Sequence, residues 1–194
     1  MRKSDQKIKP IRKAPTRAEL LAAAGGAVPD LIDYDLQILF CGINPGLYSA
    51  YTGHHFARPG NRFWPALFAS GFTDRLVAPA EEHELLRYGY GITNLVDRAT
   101  LAAGELNRAE LVAGAVHFRK KVAKYRPRAI AILGVSAYRL AFDSPDATVG
   151  PQPYKIGNSF VWVLPNPSGL NAHFTPKALA KLFRQFRLQC GALT

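Results

Sequence analysis

The sequence predicts an α/β fold, a three-layer α/β/α arrangement around a central, mainly parallel sheet. Three observations point there. Apolar runs without polar alternation recur at LQILFCG (36–42), AIAILG (129–134) and FVWVLP (160–165), the pattern of strands buried on both faces. Segments with helical spacing and helix start signals lie between these runs. Strands that alternate with helices return the chain to the same end of the sheet each time, which makes neighbouring strands parallel.

LQILFCG opens the sheet. NRFWPALFASG (61–71) reads as a helix with Pro65 confined to its first turn, where the missing N–H costs no helical hydrogen bond. EEHELLRYG (81–89) reads as a short helix, and YGITNLVDR (90–98) as a strand running into a loop. Asn107 with Glu110 three residues on forms a capping pair, starting a helix that reaches Tyr125 ahead of Pro127. AIAILG is the clearest buried strand and leads into a helix from Ser136 to about Phe142; FVWVLP is the last strand. Thr175 as N-cap and Pro176 at the first helical position open a final helix to about Cys190, with Leu179, Leu182, Phe183 and Phe186 on its buried face. There is no internal repeat. The expected organisation is a disordered basic arm over residues 1–17 and one domain over 18–194.

Composition narrows the function classes. The 194 residues are 48% hydrophobic, with 11 Phe, 8 Tyr and 2 Trp, enough for one core, and the 20% of charged residues is ordinary for a globular chain. Two cysteines, Cys41 and Cys190, exclude a disulfide scaffold, a four-cysteine zinc site and a four-cysteine iron–sulfur cluster. No apolar run approaches the roughly 20 residues needed to span a bilayer. LLAAAGGAV follows a basic start but begins late and lacks a bulky apolar core, so a cytoplasmic location without membrane association is expected. The net charge of +11 favours a polyanionic partner, nucleic acid first. More than half of it sits in the arm, where Arg2, Lys3, Lys7, Lys9, Arg12, Lys13 and Arg17 face Asp5 alone. Such an arm serves either as a solvated tail or as a non-specific phosphate contact.

In parallel sheets ligands bind beyond the carboxyl ends of the strands. Three segments fall there: GINPG (42–46), ITNLVDR (92–98) and NPSGLN (166–171). Asn, Gly, Pro and Ser make turns anywhere, but two Asn-Pro loops each directly after an apolar strand ask for more than turn chemistry. GINPG lacks the spacing and the Lys-Ser/Thr ending of a phosphate-binding loop. Ser168 lacks the G-x-S-x-G setting of a serine hydrolase. His54 and His55 are adjacent without a further ligand pair, a weak metal signal, and neither a metal nor an organic cofactor is called for.

GINPGLYSAYTGHHFARPGNRFW (42–64), GITNLVDR (91–98) and LPNPSGLN (164–171) resemble the bacterial mismatch-specific uracil-DNA glycosylases and their thymine-DNA glycosylase relatives. The resemblance runs in consistent order from about Leu36 to Asn171 and leaves the arm outside. It implies a uracil-DNA glycosylase-like fold and a cofactor-free monomer acting on double-stranded DNA that contains uracil mismatches. The target nucleotide must leave the stack before its glycosidic carbon can be reached. Bond breaking then leaves an oxocarbenium-like sugar and an anionic base, so donors to the base oxygens and a positioned water are required.

By the same resemblance Asn44 positions that water, Ile43 supplies pocket backbone, Phe56 stacks on the flipped base, and Asn166 lies near the departing base. Ser168, Gly169, Leu170 and Asn171 form the DNA-facing wedge, with Leu170 filling the vacated space. Tyr48, Ser49 and Tyr51 fall in the pocket loop, where a ring or a hydroxyl at the base C5 position decides which pyrimidines fit; Ser49 is taken as substrate-binding. Asn94 departs from the pattern, standing where close bacterial relatives often carry Lys. Asn44 is a neutral amide and a poor base, so Asp97, the only carboxylate in the three strings, is either a catalytic aid to the water or the partner of Arg98 or another arginine. No lysine lies in the strings to form a Schiff base, which favours hydrolysis without strand cleavage. Two other readings compete: a catalytically silent nucleic-acid-binding module, and a small-molecule nucleosidase, which would need neither the wedge nor the charge.

Overall fold

The strands are β1 (Ile38–Gly42), β2 (Tyr90–Asn94), β3 (Ala129–Leu133), β4 (Gly150–Pro151) and β5 (Phe160–Leu164). The computed structural model describes residues 14–191. Among these, the helices are α1 (Arg17–Ala22), α2 (Leu47–Thr52), α3 (Phe63–Ala69), α4 (Glu84–Arg87), α5 (Arg108–Tyr125), α6 (Val135–Ala141) and α7 (Pro176–Gly191). The strand order is β2-β1-β3-β5-β4, parallel throughout except for β4, which runs antiparallel along β5.

Strand alternation divides the core into two apolar layers. Ile38, Phe40, Ala131, Leu133, Trp162 and Leu164 face α3 and α7, where Phe63, Leu67, Phe183 and Phe186 cover them. Leu39, Cys41, Ile130, Ile132, Val161 and Val163 face α5 and α6. The three-layer α/β/α architecture read from the sequence is the observed one. Gly114 lets α5 lie against the chain leaving β2, since a Cβ there would stand 2.3 Å from the Leu95 carbonyl oxygen. No helix among the described residues is long and apolar enough to cross a membrane.

The helix start signals act as read. The Asn107 side chain accepts from Glu110 N at 2.9 Å while Asn107 N donates to Glu110 Oε2 at 3.0 Å. Thr175 Oγ1 accepts from Ala178 N at 3.2 Å to open α7. The single helix expected over 81–89 is instead a 3-10 turn, Pro79–Glu81, followed by α4. Glu82 lies between them with its carboxylate drawn inward to two histidines, which breaks the helical run. Not expected from the sequence are α1, α2, a 3-10 turn at Ala103–Glu105 and the two-residue edge strand β4. Helix α1 begins at Arg17, one residue inside the stretch assigned to the arm, with Thr16 and Glu19 forming its capping box. Residues 1–13 of that arm lie outside the described residues.

Candidate active site

The carboxyl ends of β1 and β2 lie side by side, with Gly42 paired to Asn94. A Cβ on Gly42 would stand 2.5 Å from Asn94 Oδ1 and 3.3 Å from Phe56 Cζ, so only glycine leaves room for both side chains. Above them opens a cavity of about 360 Å3. It is lined from the ends of four strands: Gly42 to Gly46 after β1, Asn94 closing β2, Leu133 closing β3, and Asn166 after β5. This is the edge where a parallel sheet gathers its ligand-binding loops.

Asn44 is held in one orientation. Its Nδ2 donates to the Arg98 carbonyl oxygen at 3.0 Å and to Thr100 Oγ1 at 2.7 Å. Thr100 Oγ1 passes its own proton to the Ala102 carbonyl at 2.8 Å, so it can only accept from Asn44. Two acceptors on one side fix which amide atom is nitrogen, and Oδ1 takes no part in either bond. It is the acceptor the amide keeps for the cavity. Ile43 sends its carbonyl to Val96 N at 2.9 Å, tying the two strand-end loops together.

Phe56 carries the next wall on a left-handed backbone, φ 52°, which is strained for an aromatic residue. Its neighbours hold it there. His55 N donates to Glu82 Oε2 at 2.8 Å, the His55 carbonyl accepts from Trp64 Nε1 at 3.1 Å, and His55 Nε2 lies 3.0 Å from the Pro29 carbonyl oxygen. The Phe56 ring stacks on Phe63 at 4.1 Å between centroids. Burial pulls the His55 pKa below the ordinary imidazole value, against the opposing pull of Glu82, which favours the neutral ring. Ser49, buried in α2, accepts from Ala57 N at 3.2 Å and lines the same wall; Tyr48 and Tyr51 do not line the cavity.

The third side is the chain after β5. Asn166 Oδ1 accepts from Ser168 N at 2.9 Å, and Asn171 Nδ2 donates to the Asn166 carbonyl at 3.0 Å, closing the loop on itself. Gly169 presses against the segment before α3: a Cβ there would meet the Gly60 carbonyl oxygen at 2.5 Å. Arg62, at the start of α3, clamps this loop through the carbonyls of Ser168 (2.5 Å), Asn171 (2.6 Å) and Phe174. Leu170 projects from the clamped loop 70% exposed.

A family model for the uracil DNA glycosylase superfamily matches residues 29–187. The chain belongs to that superfamily. This uracil-DNA glycosylase superfamily member is thereby of the DNA glycosylase class, the hydrolases that open base repair in DNA. The matched span contains every side chain of the cavity.

Of the ten residues to which the sequence assigns a catalytic, substrate-binding or DNA-contacting role, the superfamily member's cavity gathers nine. Ile43, Asn44, Ser49, Phe56, Asn166, Ser168, Leu170 and Asn171 line it, and Gly169 supports its rim. Asp97 is the exception. Its side chain is 68% exposed and pairs with Lys121 Nζ at 3.5 Å, away from the cavity lining. Arg98 binds Glu110 at 2.6 Å, so the partner of Asp97 is a lysine and not Arg98 or another arginine. Burial works against the Lys121 ammonium, but Asp30 at 2.8 Å and Asp97 outweigh it and hold its pKa above the ordinary lysine value. The placement agrees with the ion-pair reading of Asp97 and gives no support to a catalytic one.

His54 and His55 are likewise structural in their contacts, both engaged by Glu82; no group of three metal-binding side chains occurs among the described residues. Sequence reasoning missed Thr100 and Arg62, which act through other residues, and the position of Asn94. The Asn94 side chain is 4% exposed, lines the cavity floor and forms no hydrogen bond to a described residue.

Proposed function

We propose that this protein is a monofunctional glycosylase that hydrolyses the N-glycosidic bond of uracil flipped out of duplex DNA, with the G·U mismatch as its preferred target. The observation that carries the reading is Asn44, its Nδ2 committed to Arg98 and Thr100 and its Oδ1 left for a water in the cavity. The base enters between Phe56 and the Asn166 loop. Asn94 presents a donor and an acceptor side by side, which match a uracil carbonyl and the adjacent N3–H. Among the described residues lining the cavity there is no carboxylate to repel the anionic base as it departs, while Arg58 and several amides offer donors.

A neutral amide suffices for the water because of the order of events. When the glycosidic bond breaks first, the water meets an oxocarbenium-like carbon and needs placement more than a base. The water's proton leaves to solvent or to the departed base. Asp97→Asn is accordingly expected to excise uracil at close to the wild-type rate; a loss of about tenfold, ~1.4 kcal/mol, in single-turnover assays would reinstate its carboxylate in the chemistry.

The lining also lacks a lysine amine among the described residues, which supports hydrolysis without a Schiff base. The mismatch preference rests on the Arg62-clamped loop, whose backbone and Leu170 would face the base opposite the target. Leu170→Ala is expected to slow excision from duplexes far more than from single strands, which have less stacking to break. Equal losses on both would remove Leu170 from base extrusion. The whole reading is tested by single-turnover cleavage of G·U, A·U and G·T duplexes and single-stranded uracil DNA. The G·U duplex should react fastest; no excision from any substrate would end the proposal, and equal rates on A·U and G·U would end the mismatch preference.

A further inference from the structure

The two most exposed leucines among the described residues stand at the same opening: Leu170 at 70% and Leu101 at 66%. Both line the cavity, but they come from opposite sides of it. Leu170 follows β5 and Leu101 follows β2, with β1 and β3 between them in the sheet. Leu101 belongs to none of the sequence strings that point to the site.

Its loop is tied on both sides. Thr100 N donates to the Pro45 carbonyl at 3.2 Å, Thr100 Oγ1 binds Asn44 and the Ala102 carbonyl, and Ala102 N donates to Glu105 Oε1 at 2.9 Å. The residue between Thr100 and Ala102 is thus presented to solvent on a fixed backbone, which lowers the ordering cost of using it for binding. An apolar side chain held out at a cavity mouth gains its free energy only when a ligand covers it.

We propose that Leu101 is a second DNA-contacting residue, packing on the apolar deoxyribose face and adjoining base edge of the strand that carries the target nucleotide. The inference rests on the proposed function. With Leu170 in the gap left in the stack, the target strand enters the cavity between the two leucines, and Leu101 meets that strand while Leu170 meets the duplex interior. Its contact to the strand is then independent of whether a complementary strand is present, unlike that of Leu170.

The experiment compares wild type, Leu101→Ala, Leu101→Met and Leu170→Ala. It measures binding to DNA containing a tetrahydrofuran abasic analogue and single-turnover excision of uracil, each on duplex and single-stranded DNA, with thermal unfolding of the free protein as a control. Leu101→Ala should weaken binding and slow excision about tenfold on both forms of DNA through lost apolar contact, without moving the unfolding temperature. Leu101→Met should keep most of both. Wild-type behaviour of Leu101→Ala overturns the proposal, and so does a loss confined to duplexes, which would place Leu101 on the complementary strand. Should the wild type excise no uracil, the proposed function falls, while the binding comparison still decides the role of Leu101.

Discussion

Asn44→Ala is expected to lower the single-turnover rate of uracil excision about 100-fold, roughly 2.7 kcal/mol, while leaving affinity for uracil-containing DNA nearly intact. In the proposed reaction the side chain contributes one acceptor to a water that reacts only after the sugar has begun to carry positive charge, so its loss would fall on the transition state and not on binding. Thr100→Val keeps the side-chain volume but removes the acceptor at 2.7 Å that helps hold Nδ2 away from the cavity. The amide can then turn over, and a partial loss of about tenfold is expected. Adding Asp97→Asn to Asn44→Ala should change nothing further, because Asp97 pairs with Lys121 and does not line the cavity. An Asn44→Ala rate within about threefold of wild type, well under 1.4 kcal/mol, would remove Asn44 from the mechanism.

The strands and long helices were legible because their signals are local. Uninterrupted apolar runs gave β1, β3 and β5, and an N-cap with its partner three residues on gave α5 and α7. What stayed hidden depends on partners distant in sequence. Helix α2 follows GINPG directly and ends at Gly53 with φ 76°; its residues read as a loop because the Gly, Tyr and Ser around it carry no apolar period. Strand β4 is two residues long and exists only as a partner of β5. The same holds at the site. Asn44, Phe56 and Asn166 stand in motifs that point to the cavity they line, whereas Thr100 and Arg62 act through backbone carbonyls and side chains 56 and up to 112 positions away. Asp97 is the one carboxylate in the strings, and a string does not show which way its side chain leaves the loop; in the structure it pairs with Lys121.

Asn94→Asp is expected to lose uracil excision about 100-fold or more at mildly alkaline pH, ~2.7 kcal/mol, and to recover part of it as the pH falls. The substitution preserves shape at a position where shape is tightly set, since Oδ1 already lies 2.5 Å from where a Gly42 Cβ would be. It replaces the donor with a second acceptor. An ionised carboxylate there faces a uracil carbonyl and then the anionic base, so it opposes both binding and bond breaking. Burial at 4% exposure penalises that charge and raises the carboxyl pKa above the ordinary range near 3.9. Once protonated, the acid offers an O–H donor beside a carbonyl acceptor, the same pair that the amide offers. Activity relative to wild type should therefore rise as pH falls from roughly 8 toward 5. The ratio is the quantity to read, because both proteins share a stability loss at low pH. His55 has its pKa lowered by burial, so the unfolded chain takes up the proton first and stability declines as pH drops below the ordinary value of 6.5. Asn94→Ala serves as the control, since it has nothing to protonate and its ratio to wild type should stay flat. A flat ratio for Asn94→Asp as well, or excision at the wild-type rate at pH 8, would show that the buried amide does not read the base.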